Sequence, residues 1–193
     1  MARKNSRTLW MEKLLRGDAS GPVREAVPMG ARTPYAGHVL GIDPSLRGTG
    51  LAVVALGGAE GPVLCASRTL RLRPALSMPE CLGEIYKAVA DYIEEWPVRH
   101  VALEQTIYVQ NFQTAQILGA ARGAAIAAAA VLRKPVFEYP PLRVKQAVVG
   151  FGRAGKEQVG GMIRQLLRLP EALPLDESDA AAVALCHAYT WRG

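Results

Sequence analysis

Apolar residues fall in short, unbroken runs through the first half of the chain and in helical spacing through the second. Val39-Leu40-Gly41-Ile42 is an apolar run that ends at Asp43, and Pro44-Ser45-Leu46-Arg47-Gly48 reads as a turn. Leu51–Leu56 is a second run and Pro62–Leu72 a third with more alternation, so the three predict an antiparallel meander. Residues 77–95 predict a helix, with Ser77 as N-cap and Glu80 three residues on as its capping-box partner. Val101-Ala102-Leu103 is apolar without alternation, as in a strand buried on both faces, and Glu104 ends it. Residues 111–132 predict a long Ala-rich helix, Val136-Phe137 a short strand, and residues 141–149, 156–168 and 177–191 three more helices. Strands first and helices after, with two strand–helix crossovers, predict an α/β fold: a mixed sheet with helices on both faces.

Before His38 the texture differs. Leu9, Trp10, Leu14 and Leu15 follow helical spacing, and seven Gly and Pro residues between Gly17 and Gly37 then read as a linker. This divides the chain into an N-terminal arm, 1–37, and a domain, 38–193. Charge sharpens the division. The whole chain carries +6, but residues 1–37 hold seven Lys or Arg against three Asp or Glu, leaving a net +2 for the remaining 156 residues. The arm reads either as a disordered extension or as a tether for DNA or a partner protein. With 193 residues, half of them hydrophobic, the chain is long enough to bury a core. Three cysteines with no C-x-x-C argue against a disulfide framework and a zinc site, and fit a reducing compartment. The longest apolar run, Ala124–Leu132, is too short for a bilayer, and the basic N-terminus has no apolar signal core, so a cytoplasmic protein is expected.

The chemistry lies in the acids. Asp43 and Glu104 each follow directly on a buried strand, and ligands of α/β sheets bind beyond the carboxyl ends of the strands. Asp176 and Asp179 stand three apart at the start of an apolar helix, hence on one face of it. Capping offers another account of that pair, with Asp176 as N-cap and Asp179 favoured by the helix dipole, but it leaves Asp43 and Glu104 unexplained. Four carboxylates together would repel one another, and hard divalent cations relieve that. Two such ions stabilise the attacking and leaving oxygens of a phosphoryl displacement, so the residues point to metal-dependent phosphodiester chemistry. Gly150–Glu157 imitates a phosphate loop, but Glu157 stands where the P-loop pattern needs Ser or Thr, and Arg143–Gln146 before it reads as a helix. Two readings stay open there: a plain helix–turn–helix, or a basic loop in which Arg153 and Lys156 touch a nucleic-acid backbone. His38, His100 and His187 have no metal-ligand spacing; for His187, eight residues beyond Asp179, packing in the core or behind the acids is the expectation.

From His38 to Tyr189 the sequence resembles the RuvC family of Holliday junction resolvases. The resemblance rests on Leu40–Ser45 with Thr49-Gly50, Leu103-Glu104-Gln105, Asn111, Leu118-Gly119, Ala121-Arg122-Gly123 and Val136–Tyr139. It continues through Val144–Gly150 with Gly152, Ala154, Lys156, Gln158 and Val159, then Asp176, Asp179-Ala180 and His187. It implies an RNase H-like five-stranded mixed sheet. It also implies a homodimeric crossover junction endodeoxyribonuclease, which nicks four-way junction DNA symmetrically in recombination and repair beside the RuvA–RuvB branch-migration complex. By position, Asp43, Glu104, Asp176 and Asp179 would hold two Mg2+ ions, with Mn2+ able to substitute, and Lys145 and Lys156 would stand near the scissile phosphate. Tyr108, Asn111, Phe112, Arg122 and Arg153 are expected on the DNA. Where some relatives carry an aromatic wedge this chain has Ile107, which moves the wedge to Tyr108 or Phe112. The rival reading is a junction-binding protein of the same fold that does not cut.

Overall fold

Val39–Ile42 and Val101–Leu103 are apolar at every position because both faces of their strands are covered. In the computed structural model, residues 35–105 and 111–192 are described; Tyr108 and nearly all of the predicted arm lie outside the described residues. β1 (Gly37–Asp43), β2 (Gly48–Leu56) and β3 (Val63–Arg71) form the antiparallel meander. β4 (Val98–Glu104) runs parallel to β1, and β5 (Val136–Tyr139) parallel to β4. The order is β3-β2-β1-β4-β5, a five-stranded mixed sheet. The helices are α1 (Met78–Glu95), α2 (Phe112–Val131), α3 (Pro141–Val149), α4 (Lys156–Leu166) and α5 (Leu175–Thr190).

Successive strand residues supply opposite faces. Leu40, Ile42, Leu51, Val53, Val101 and Leu103 pack under α1 and α2, against Ile85, Val89 and Ala125 among others. Val39, Ala52, Val54 and Ala102 pack under α5 and the α3–α4 pair. α1 opens as the capping box predicts: Glu80 accepts from the Ser77 N–H (2.7 Å) and hydroxyl (2.6 Å). Gly150, with φ +91°, ends α3, and the Gly155 N–H bonds Gln158 Oε1 (2.9 Å) as α4 begins. The Gly-rich segment is therefore a helix–turn–helix in geometry.

Three boundaries differ from expectation. α5 starts on Pro174, so Asp176 lies inside its first turn and is not the N-cap. α4 stops at Leu166 rather than 168, where Arg168 turns to φ +53°. The packed fold begins before His38, since Tyr35 is buried beside His100, His187 and Trp191. His187 is fully buried in that aromatic group. Its Nε2 lies 2.8 Å from His100 Nδ1 and its Nδ1 2.8 Å from the Tyr139 hydroxyl, so it is a core residue as expected. Burial, then the neighbouring His100, lowers its pKa to about 4. The cysteines are free, with Cys81 and Cys186 buried.

Two glycines set the distance between α5 and the sheet. A Cβ on Gly41 would overlap the Ala180 carbonyl, and one on Gly50 the Asp176 carbonyl; both obstacles are backbone. Alanine at either position would gain about 0.4–1 kcal/mol from a less free unfolded chain. Overpacking costs about 1–3 kcal/mol or more. We expect Gly41→Ala and Gly50→Ala each to lower the unfolding free energy by a net of about 1–2 kcal/mol, read as a lower urea midpoint, and an unchanged midpoint would refute the close seating of α5.

Candidate active site

Ile42 pairs with Leu103 in parallel register, so Asp43 and Glu104, one residue further, end adjacent strands at the same sheet edge. Gly41 and Ala102 face α5, and two residues on Asp43 and Glu104 face the same way. α5 brings Asp176 and Asp179 to that edge in its first turn and a half. The Asp176 carboxylate lies over the start of β2, with Oδ2 3.4 Å from where a Gly48 Cβ would stand. The turn after Asp43 is tied internally: Thr49 Oγ1 donates to Ser45 O (2.6 Å), and the Gly48 N–H to Ser45 Oγ (3.0 Å).

Glu177, which the sequence reading passed over, seats this helix start. Its carboxylate accepts from Ser67 Oγ (2.6 Å), the Thr69 N–H (3.1 Å) and Thr69 Oγ1 (3.2 Å), bracing α5 on β3. The available signal was polar residues at alternate positions of β3, a face that an apolar helix would leave unsatisfied.

Electrostatics mark the edge as one unit. Burial pushes the Asp43 carboxyl up to about 7, reinforced by Asp179, Glu104 and Asp176 and relieved in part by Lys156. Glu104 is raised by burial and by Asp179, and lowered by Lys145 and Lys156. Asp179 is raised by burial and Asp176 and lowered by Lys156 and Lys145. Lys156 Nζ stands 3.6 Å from Asp179 Oδ2 while 70% exposed, a weak and movable pair. Two ammonium groups thus answer four carboxylates. Among the described residues, no three His, Cys, Asp or Glu side chains are gathered closely enough to hold an ion as they stand. Like charges with no counter-ion splay apart, and the donors are all hard oxygens of the kind that Mg2+ or Ca2+ takes.

The residues expected on DNA divide. Phe112 is 77% exposed at the start of α2, and Arg153 is exposed in the α3–α4 turn. Asn111 is occupied as the N-cap of α2, accepting from Gln113 N (2.8 Å) and Thr114 N (3.4 Å). Arg122 is ion-paired to Glu138, joining α2 to β5. Asn111 and Arg122, two of the expected contacts, thus each have a partner within the fold.

The folded state holds the Asp43 proton more tightly than the unfolded chain, whose ordinary value is 3.8. Ionising Asp43 therefore costs stability. The cost is absent below about pH 4 and accrues as pH rises toward 7. In chelator at pH 8, Asp43→Asn is expected to unfold with on the order of 2 kcal/mol more free energy than wild type, a gap that closes by pH 4. Urea titrations at the two pH values measure it, and an equal gap at both would show an unstrained carboxyl.

The family described as Crossover junction endodeoxyribonuclease RuvC matches residues 39–187. The RuvC of Halorhodospira halophila is 46% identical over 152 residues, covering 79% of this chain and 90% of that protein. The RuvC of Pelotomaculum thermopropionicum is 42% identical over 156 residues, 79% of this chain and 94% of that one. Among solved structures, T. thermophilus RuvC in complex with Holliday junction substrate superposes with a TM-score of 0.75 at 37% identity, over 79% of this chain and 93% of that one. The yeast mitochondrial resolvase Ydc2, 9% identical with a TM-score of 0.57, shares the fold. In sequence and in three dimensions, from the buried strands to the acidic start of α5, this chain belongs to the RuvC family of crossover junction endodeoxyribonucleases.

Proposed function

We infer that this protein resolves four-way DNA junctions by nicking two opposed strands symmetrically, in recombination and repair, with Asp43, Glu104, Asp176 and Asp179 as its metal-holding acids. The observation that carries the reading is the buried, under-compensated carboxylate edge, where the pKa of Asp43 reaches about 7. RuvC nucleases depend on a divalent metal; we take it to be Mg2+, two ions per site, with Mn2+ as a substitute. Bound there, the metal would neutralise the carboxylates and polarise the scissile phosphate.

The chain's own residues do the rest. The strand tips carry Asp43 and Glu104, and the Glu177 brace seats the turn that carries Asp176 and Asp179, so the backbone beneath the acids is held while the splayed carboxylates are left to be drawn in by an ion. Lys156, loosely held by Asp179, is free to swing to a phosphate oxygen, and half-buried Lys145 adds fixed positive charge where negative charge develops. Phe112 and Arg153 are offered to DNA; Tyr108, outside the described residues, remains the other choice for the wedge.

Two nicks related by symmetry call for two copies of the site. By length and composition α2 could cross a bilayer, yet it packs through Ala121, Ala125, Ala128 and Ala129 onto the core. Its other face, with Gln116 and then the small residues Gly119, Gly123, Ala127 and Ala130 at helical spacing, is exposed and carries no charge at these positions. We assign that face to a homodimer. By family resemblance the dimer works in the cytoplasm beside RuvA–RuvB.

Incubation with a synthetic four-way junction and Mg2+ should give paired nicks, abolished by chelator. Asp43→Asn should bind the junction but not cut it, and wild-type binding without nicks would favour the silent reading. Lys156→Ala should slow cutting about 10²–10³-fold, the usual cost of a lost charge-stabilising group, with junction affinity little changed. Gly123→Arg should yield folded monomers by sedimentation, since a Cβ there meets nothing within 4 Å, and these should lose paired nicking.

A further inference from the structure

The carboxylate edge is negative, yet a DNA strand must lie along it. On the β3 side of that edge the chain changes sign. Residues 44–76 carry Arg47, Arg68, Arg71 and Arg73 against a single acid, Glu60. Arg71 is the β3 partner of Gly48, the residue beside the Asp176 carboxylate. It stands two strands from Asp43, about 10 Å across the sheet.

Arg47 does not face a ligand. Its Nη1 donates to Arg73 O (2.5 Å) and its Nη2 to Leu76 O (2.8 Å), while its own carbonyl accepts from the Leu72 N–H (3.0 Å). The turn that follows Asp43 is thereby tied to the segment that follows β3. Between that segment and the first turns of α1 lies a cavity of about 570 Å3, lined by Arg71, Arg73, Leu76, Glu80 and Glu84 among others. Glu80 is already committed to the Ser77 cap. Arg71 and Arg73 are exposed, and among the described residues neither guanidinium has an ion-pair or hydrogen-bond partner.

We propose that Arg71 and Arg73, held in place by Arg47, form a second backbone-phosphate site that carries a junction arm over the β3 edge. The proposal rests on the DNA-cutting reading and deepens it. Guanidinium groups take phosphate oxygens in a bidentate fork. Glu84 on the opposite wall disfavours a small anion sunk in the cavity and favours a backbone that meets the arginines from the solvent side. Contacts of this kind position a duplex and carry no sequence information.

The test is junction affinity by fluorescence anisotropy in chelator, from 50 to 200 mM salt, for wild type and the Arg71→Ala/Arg73→Ala double variant. Each phosphate contact contributes about 0.9 to the slope of log affinity against log salt, so the double variant should be shallower by roughly 2. Its affinity should then fall about tenfold less than that of wild type over the range. At saturating protein with Mg2+ its nicking rate should match wild type, which separates positioning from chemistry. The Arg71→Lys/Arg73→Lys variant keeps the charge and should keep the slope. An unchanged slope in the alanine variant overturns the proposal while leaving the nuclease reading intact; so does a lysine variant that behaves like alanine. A wild type that fails to bind the junction overturns both.

Discussion

Mutual repulsion among Asp43, Glu104, Asp176 and Asp179 is the constraint that the remainder of the fold is built to withstand. None of these side chains would choose the others' company, and burial makes the cost larger. They stay because each is fixed by something apolar behind it. Asp43 and Glu104 are carried on strands whose preceding residues are wholly buried. The two α5 acids are carried on a helix pressed onto glycines, with Ser178 and the nine consecutive positions from Ala180 to Ala188 inside the protein. The strain is local and the support is global, which is the usual arrangement where a site must be ready before its ligand arrives.

The strand tips were legible because nothing else explains an uninterrupted apolar run stopped by an acid, twice, in strands predicted to be buried. The helix start was legible as a pair of acids three apart, but its first residue was placed two late: Leu175 and Asp176 follow Pro174, and a proline at the cap is compatible with either register. What escaped the sequence is the set of long-range side-chain partnerships. Glu177 meets Ser67 and Thr69 across more than a hundred residues of chain, and Arg122 meets Glu138. These depend on the register of β3, which shifts at Val53/Val54, and on the angle at which α2 crosses to β5. Alternation of residue types fixes neither. Asn111 and Arg122 stood within family motifs, and nothing in those motifs told that each also has a structural partner, the start of α2 for one and Glu138 for the other.

A basic protein therefore does not spend its arginines alike. Arg47 and Arg122 are structural, their donors turned to carbonyls and a carboxylate within the fold. Arg71, Arg73 and Arg153 are left at the surface. Counting charge gives the same +1 for each, and only the partners tell them apart.

Between α5 and the β4–β5 pair, the buried His187 sits between a phenol and a second imidazole. If the Tyr139 hydroxyl donates to Nδ1, the proton on His187 must lie on Nε2 and point at His100 Nδ1, which fixes His100 with its own proton on the outer nitrogen. One tautomer is dictated by the next, from β5 through α5 to β4. Such a chain has no room for an added proton. The folded His187 holds off protonation to about pH 4, whereas the unfolded imidazole, at its ordinary 6.5, accepts it sooner. Stability contributed by this chain is intact above neutrality and drains away on acidification, opposite in sense to the carboxylate edge. The two groups thus titrate against each other, and acid loosens the seam where α5 closes over β4 and β5 even as it quiets the charges at the carboxylate edge.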